Sequence, residues 1–277
     1  MSYKTILVHL DAGKRVAARV AIANQLADTF DAHLTGLFAL SAPRIPSYAL
    51  AEAGPVVVEA EARYRAEAAQ NAEAVFRAAT ARQARSAEFR GTTRDAVAAA
   101  RLSARYADLV IAGQPEPEGS AGVASDFAEE LVLSAGRPVL LIPYAGDFAE
   151  VGRRVLVAWD AGREAARAVT DALPLLARAS IVHVVAFDPR KGSADHGDVP
   201  GADIALLLAR HGVKVSVAQQ QSDEVDVGNQ ILSRAADMQS DLIVMGAYGH
   251  SRLRELVLGG VTRTLLDTMT VPVLMSH

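Results

Sequence analysis

The chain of 277 residues carries 28 Lys and Arg against 32 Asp and Glu, is 51% hydrophobic and contains no cysteine. Disulfide scaffolds, thiol nucleophiles and cysteine-ligated metal centres are thereby excluded. The formal charge of −4 supplies no global attraction to nucleic acid or to an anionic membrane, since those partners select basic faces.

In chain order, the apolar and helical patterns predict alternating strands and helices near 4–10, 14–29, 33–40, 57–84, 86–90, 93–106, 108–113, 125–135 and 138–143. The segment 41–58, punctuated by Pro43, Pro46 and Pro55, reads as a loop able to fold over a neighbouring strand end as a lid, and 59–85 as a long, charged, Ala-rich helix. A polar connection follows at 144–152, with Gly146, Asp147 and Gly152. The alternation then resumes near 154–159, 163–177, 180–187, 199–211, 213–219, 225–238, 241–246, 259–269 and 272–276. The runs at 5–10, 139–144 and 204–209 fall well short of the roughly 20 apolar residues that cross a bilayer, and the N-terminal one is too short for a signal peptide. The expectation is a cytoplasmic protein with neither membrane nor nucleic acid as partner, and the lack of cysteine agrees with a reducing compartment.

The second half repeats the first. Thr5-Ile6-Leu7-Val8-His9-Leu10-Asp11-Ala12-Gly13 returns as Arg154-Val155-Leu156-Val157-Ala158-Trp159-Asp160-Ala161-Gly162, Asp108-Leu109-Val110-Ile111-Ala112-Gly113 as Asp241-Leu242-Ile243-Val244-Met245-Gly246, and Pro138-Val139-Leu140-Leu141 as Pro272-Val273-Leu274-Met275. The offset falls from 149 residues at Asp11 and Asp160 to 133 at Gly113 and Gly246, so the first copy carries about sixteen extra residues. Two domains are expected, 1–146 and 152–277. Continuous apolar strands between helices predict that each is a doubly wound α/β unit with a five-stranded parallel sheet. Ligands of such sheets sit beyond the carboxyl ends of the strands, where strand order reverses.

At one such end lies Gly246-Ala247-Tyr248-Gly249, and Gly259-Gly260-Val261 precedes the last helix. Glycines let a ligand approach the main chain, and the amides of a helix N-terminus favour phosphate. The spacing Gly-x2-Gly-x9-Gly, with Asp160 closing a first strand and Val271-Pro272-Val273-Leu274 closing the unit, resembles the universal stress protein family in its tandem-domain form, over nearly all of both halves. The resemblance implies binding of ATP, with magnesium, or of a related adenine nucleotide. Gly246, Gly249, Gly259, Gly260 and Val261 would then face phosphate and ribose, and Ala158, Asp160 and Val184 the adenine and ribose. It also implies pairing of the two fifth strands as an intramolecular pseudo-dimer, a possible further homodimer and an unidentified regulatory protein partner.

Two departures from the family pattern stand out. Gly260 occupies the place where the family usually has Ser or Thr, which removes one hydroxyl from the phosphate cradle. The first half places Glu116 opposite Gly249, and Ser125 and Asp126 opposite Gly259 and Gly260, and carboxylates repel a polyphosphate. One competent and one degenerate site per chain are therefore expected. Asp160 is equally able to serve the turn into the following helix. His9 and His183 fit strand packing better than metal ligation, Trp159 fits the core better than an adenine wall, and His250 fits a solvated loop. No Gly-x-Ser-x-Gly elbow and no Walker motif occurs, so no catalytic residue is nominated and ATP hydrolysis is expected to be slow at most. The competing reading is a stress-response interaction module that binds no nucleotide.

Overall fold

The computed structural model describes residues 2–41, 47–81, 86–116, 122–187, 199–221, 225–248 and 260–277. In the first half β1 (Thr5–Leu10), α1 (Val16–Phe30), β2 (His33–Phe38), α2 (Ser47–Thr80), β3 (Ala87–Gly91), α3 (Ala96–Ala104), β4 (Leu109–Gly113), α4 (Phe127–Ser134) and β5 (Val139–Ile142) alternate strictly. The second half runs through β6 (Arg154–Trp159), α5 (Arg163–Leu176), β7 (Ile181–Phe187), α6 (Ala202–Arg210), β8 (Val215–Gln220), α7 (Val227–Asp237), β9 (Leu242–Gly246), α8 (Val261–Thr268) and β10 (Val273–Ser276).

The strands form one sheet in the order β3-β2-β1-β4-β5-β10-β9-β6-β7-β8. Within each half neighbouring strands are parallel, and strand order reverses beside β1 and β6. The halves meet where β5 and β10 pair antiparallel, Leu141 opposite Val273 and Val139 opposite Met275. Either strand alone would be a sheet edge with unpaired main-chain groups, so each satisfies the other. The fifth-strand pairing expected from the sequence is thus present within one chain, and the two sets of strands run in opposite directions.

Strands buried on both faces explain the unbroken apolar runs. Ile6, Val8, Val155 and Val157 face a core covered by α1, α2, α5 and α6, while Leu7, Val110, Leu156 and Ile243 face one covered by α3, α4, α7 and α8. The duplication extends to polar contacts. Asp95 caps α3 by accepting Val97 N at 3.0 Å, and Asp226 caps α7 by accepting Gly228 N at 2.9 Å. Asp108 accepts the amides of Lys4 and Thr5, at 2.7 and 3.0 Å, and Asp241 those of Gly152 and Arg153, at 2.9 and 3.0 Å. Each of the latter pair ties the start of its half's first strand to the strand beside it.

One sequence expectation is corrected. Of the segment read as a loop, residues 42–46 lie outside the described residues, and from Ser47 the chain is already helix α2, with Pro55 inside it. The surrounding Ala and Glu residues carry the helix through a proline that removes one main-chain hydrogen bond. Farther along, Ala68, Ala72 and Phe76 pack into the core. The part of α2 that overhangs the end of β1, Tyr64 to Val75, lies within the helix expected from the sequence.

Candidate functional site

Both halves build the same turn at the carboxyl end of their first strand. Asp11 follows β1 and accepts Gly13 N on Oδ1 at 2.9 Å; Asp160 follows β6 and accepts Gly162 N on Oδ1 at 2.8 Å. A short carboxylate reaches its own main chain two residues on, and this Asx turn leads into the next helix.

From that point the halves diverge. Arg19 lies on the buried stripe of α1 with Val16, Val20 and Ala23, and its Nη2 donates to Asp11 Oδ2 at 2.7 Å, the two side chains being 4% and 7% exposed. Burial pushes the Asp11 carboxyl up, but Arg19, His9 and the Gly13 amide outweigh it and hold the group below the ordinary carboxylate range. The crevice between Asp11, Arg19, Gly113, Gln114 and Tyr144 retains about 10 Å³, room for about one water molecule. Gln114 closes its far side, accepting Tyr144 N at 3.2 Å and donating Nε2 to Leu266 O of α8 at 2.9 Å. A cavity of about 220 Å³ adjoins the crevice between the Asp11 turn and α2. Asp11 and Glu67 line it, and two carboxylates make it a poor polyphosphate site.

His9, on β1 beneath this turn, is wholly buried; its Nε2 donates to Ala39 O at 2.9 Å, and its ring lies 4.4 Å from that of Phe127. Burial lowers its pKa to about 4, against the pull of Asp11 and with the help of Arg19. The folded state therefore holds His9 neutral, whereas the unfolded chain takes up a proton below about pH 6.5. Stability from this residue is complete above that pH and is lost as pH falls toward 4, a change of about 3 kcal/mol. Urea midpoints measured from pH 8 to pH 4.5 should fall more steeply for the parent than for His9→Gln, which keeps an N–H donor but does not titrate. Parallel profiles would remove His9 as the origin.

In the second half Ala168 stands where the 149-residue offset places Arg19, wholly buried. No guanidinium reaches Asp160 from it. Asp160 is exposed, and among the described contacts its Oδ2 has no partner. The turn it opens holds Ala161 at φ 60°, a left-handed conformation that an alanine adopts at some strain and that collects at functional sites. Beside it Glu164, 5% exposed in the first turn of α5, pairs with Arg163. Burial raises the Glu164 carboxyl, yet the hydrogen bond from Arg163 and the local main chain bring it below its ordinary value. Across the strand ends α8 begins at Gly260, with no side-chain cap. Gly260 O accepts Arg263 N at 2.9 Å and Thr264 N at 3.1 Å, so the turn is well formed while its first amides have no intrahelical acceptor. Thr262 is 2% exposed and its Oγ1 accepts Tyr248 N at 3.3 Å. Its hydroxyl is turned inward and does not stand in for the one missing at Gly260.

Residues 152–277 match the sequence model described as the universal stress protein family. Over this half, the chain is similar to the universal stress protein family. A search of curated proteins finds no match. Among solved structures the chain resembles a universal stress protein from Archaeoglobus fulgidus DSM 4304, with 17% identity, 98% of this chain and 95% of that one covered, and a TM-score of 0.69. A putative universal stress protein from Pseudomonas aeruginosa UCBPP-PA14 aligns over 99% and 93% at 18% identity, TM-score 0.61. A functionally unknown protein from Pseudomonas aeruginosa PAO1 aligns over 99% and 92% at 16% identity, TM-score 0.60. At these identities the likeness is one of fold, and it extends over both halves.

The nominated residues fall as follows. Ala158 and Val184 lie on neighbouring strands β6 and β7, Asp160 follows β6, Gly246 ends β9, and Gly260 and Val261 open α8. Gly249, His250 and Gly259 lie outside the described residues. Val184 is wholly buried among core residues, so only its main chain can meet a ligand. Trp159 packs partly buried against the same core, and His183 pairs with Ser216 Oγ at 2.6 Å. Gly246 has a second reason to be glycine. A Cβ there would clash with Ala165 N and lie 2.6 Å from Glu164 C, because the first turn of α5 passes directly over the end of β9. Sequence reasoning overlooked Glu164, Gln114 and above all Arg19. The signal for Arg19 was available as an arginine at an apolar-stripe position, eight residues after Asp11, where the repeat has Ala168.

Proposed function

We propose that this universal stress protein binds one adenine nucleotide per chain, in a domain spanning 152–277, and that the domain spanning 1–146 is a closed counterpart. The observation that carries this reading is the polarity of the strand end at Asp160. An exposed acceptor, Asp160, lies on the β6 side, and the first amides of α8, which no side chain among the described residues caps, lie on the other. A ribose presents hydroxyl donors and a phosphate needs donors from the protein, so a nucleotide matches this division. The residues present fit ATP in part: Asp160 would take the ribose and the amides at Gly260 and Val261 the phosphates, magnesium accompanying the triphosphate as counter-ion, but without a hydroxyl at position 260. Affinity should accordingly be moderate. Neither a Walker lysine nor a nucleophile elbow accompanies these groups in the sequence, which supports a ligand-responsive regulator with slow hydrolysis at most.

Calorimetric titration of magnesium ATP into the intact protein tests this. Binding at one site per chain, weakened about tenfold or more by Asp160→Ala through loss of charged hydrogen bonds, is the expected result. Asp160 is exposed, so that variant should fold. Two equivalent sites, or unchanged affinity in the variant, would contradict the proposal. Absence of binding would favour the interaction-module reading, which the inward-turned Thr262 hydroxyl already supports.

A further inference from the structure

A cleft of about 460 Å³ lies between α1, α5 and the connection that joins the two halves. Pockets for small molecules span roughly 300 to 1,000 Å³. It shares no lining residue with the cavities at the Asp11 turn, and Asp160 does not line it. Its base is apolar, with Leu26, Phe30 and Leu175 all less than 8% exposed.

The rim is cationic. Arg153 and Arg178 line the cleft against one carboxylate, Glu150. Arg153 and Glu150 stand 3.6 Å apart, 59% and 63% exposed, a pairing that contributes little in water and yields readily to a competing anion. Arg178 has no carboxylate within ion-pair distance among the described residues. Its guanidinium lies over the Phe30 ring, 5.8 Å from the centroid. Such stacking orients the plane of the group and leaves its in-plane N–H donors for another acceptor.

We propose that this cleft binds a small amphipathic anion, its apolar body on Leu26, Phe30 and Leu175 and its acidic group on Arg178 and Arg153. The walls come from both halves, so the ligand would bridge them across the connection. The proposal does not depend on nucleotide binding at the other site.

The test is calorimetric titration of the intact chain with 4-phenylbutyrate and, separately, with 4-phenylbutylamine, which has the same apolar body and the opposite charge. The carboxylate should bind at one site per chain and about tenfold or more tighter than the amine, the difference one charged hydrogen bond makes. Arg178→Gln should weaken the carboxylate by a similar factor. Thr29→Trp, which fills the cleft from its exposed rim, should abolish binding, while Asp160→Ala should leave it unchanged. Gln25→Trp fills the cleft from a separate position and serves if Thr29→Trp does not fold. Equal affinity for the two probes, no saturable binding of the carboxylate, or binding that survives the filling substitution would overturn the proposal.

Discussion

Replacing Arg19 by leucine should lower the unfolding free energy by about 3 to 5 kcal/mol, because it leaves the Asp11 carboxylate buried without its counter-charge. The pair is 4% and 7% exposed, with 2.7 Å between Nη2 and Oδ2, so the few waters that could reach the carboxylate would not make up for the guanidinium. The loss reflects an orphaned charge, not the net value of the ion pair. A second substitution separates the two. Asp11→Asn keeps an oxygen for the Gly13 amide while removing the charge, and Asp11→Asn with Arg19→Leu should recover at least half of the stability lost by Arg19→Leu alone. Urea unfolding of the parent, both single variants and the double variant gives the coupling directly. Additive losses would show that Arg19 acts only through packing.

Gly246→Ala should be the next most damaging change, at about 3 kcal/mol, the upper part of the range for overpacking. The added methyl would meet main-chain atoms of α5, with Glu164 C at 2.6 Å and Glu164 Cβ at 2.9 Å, and a helix first turn cannot move without disturbing the Asp160 turn ahead of it. Gly113 is the equivalent residue in the first half, but a methyl there meets the end of a side chain, clashing with Arg19 Nη1 and lying 3.2 Å from its Cζ. Gly113→Ala should therefore be costly only while Arg19 is present, and nearly neutral in the Arg19→Leu background. The cost of Gly246→Ala should be the same in either background. If Gly113→Ala is equally harmful with and without Arg19, the difference assigned to the two glycines is mistaken.

These two experiments mark where sequence reading stops. The glycine at the end of β9 belongs to a recognisable spacing, and that spacing drew attention to ligands. Its immediate constraint is the passage of α5, which involves residues more than 80 positions earlier. The carboxylates at Glu116 and Asp126 suggested that the first half would not hold a polyphosphate. The structure adds that Arg19 occupies the Asp11 carboxylate, and the place of Arg19 on an apolar stripe carries that meaning only once α1 is seen lying over the strand ends. Pro55 showed the opposite limit, since a strong local breaker signal was overridden by the helix around it.

The amino-acid sequence by itself determined the alternation of strand and helix, the twofold repeat and which strand ends carry the Asp-Ala-Gly turns. Periodicity, doubly buried apolar runs and turn chemistry are local properties and survive without knowledge of the rest of the chain. Only the tertiary structure decided that Asp11 is neutralised from within while Asp160 faces solvent, and that a cleft with a cationic rim opens between α1 and α5. Each of these depends on side chains far apart in sequence meeting in space, and on whether burial there removes the water that would otherwise compete.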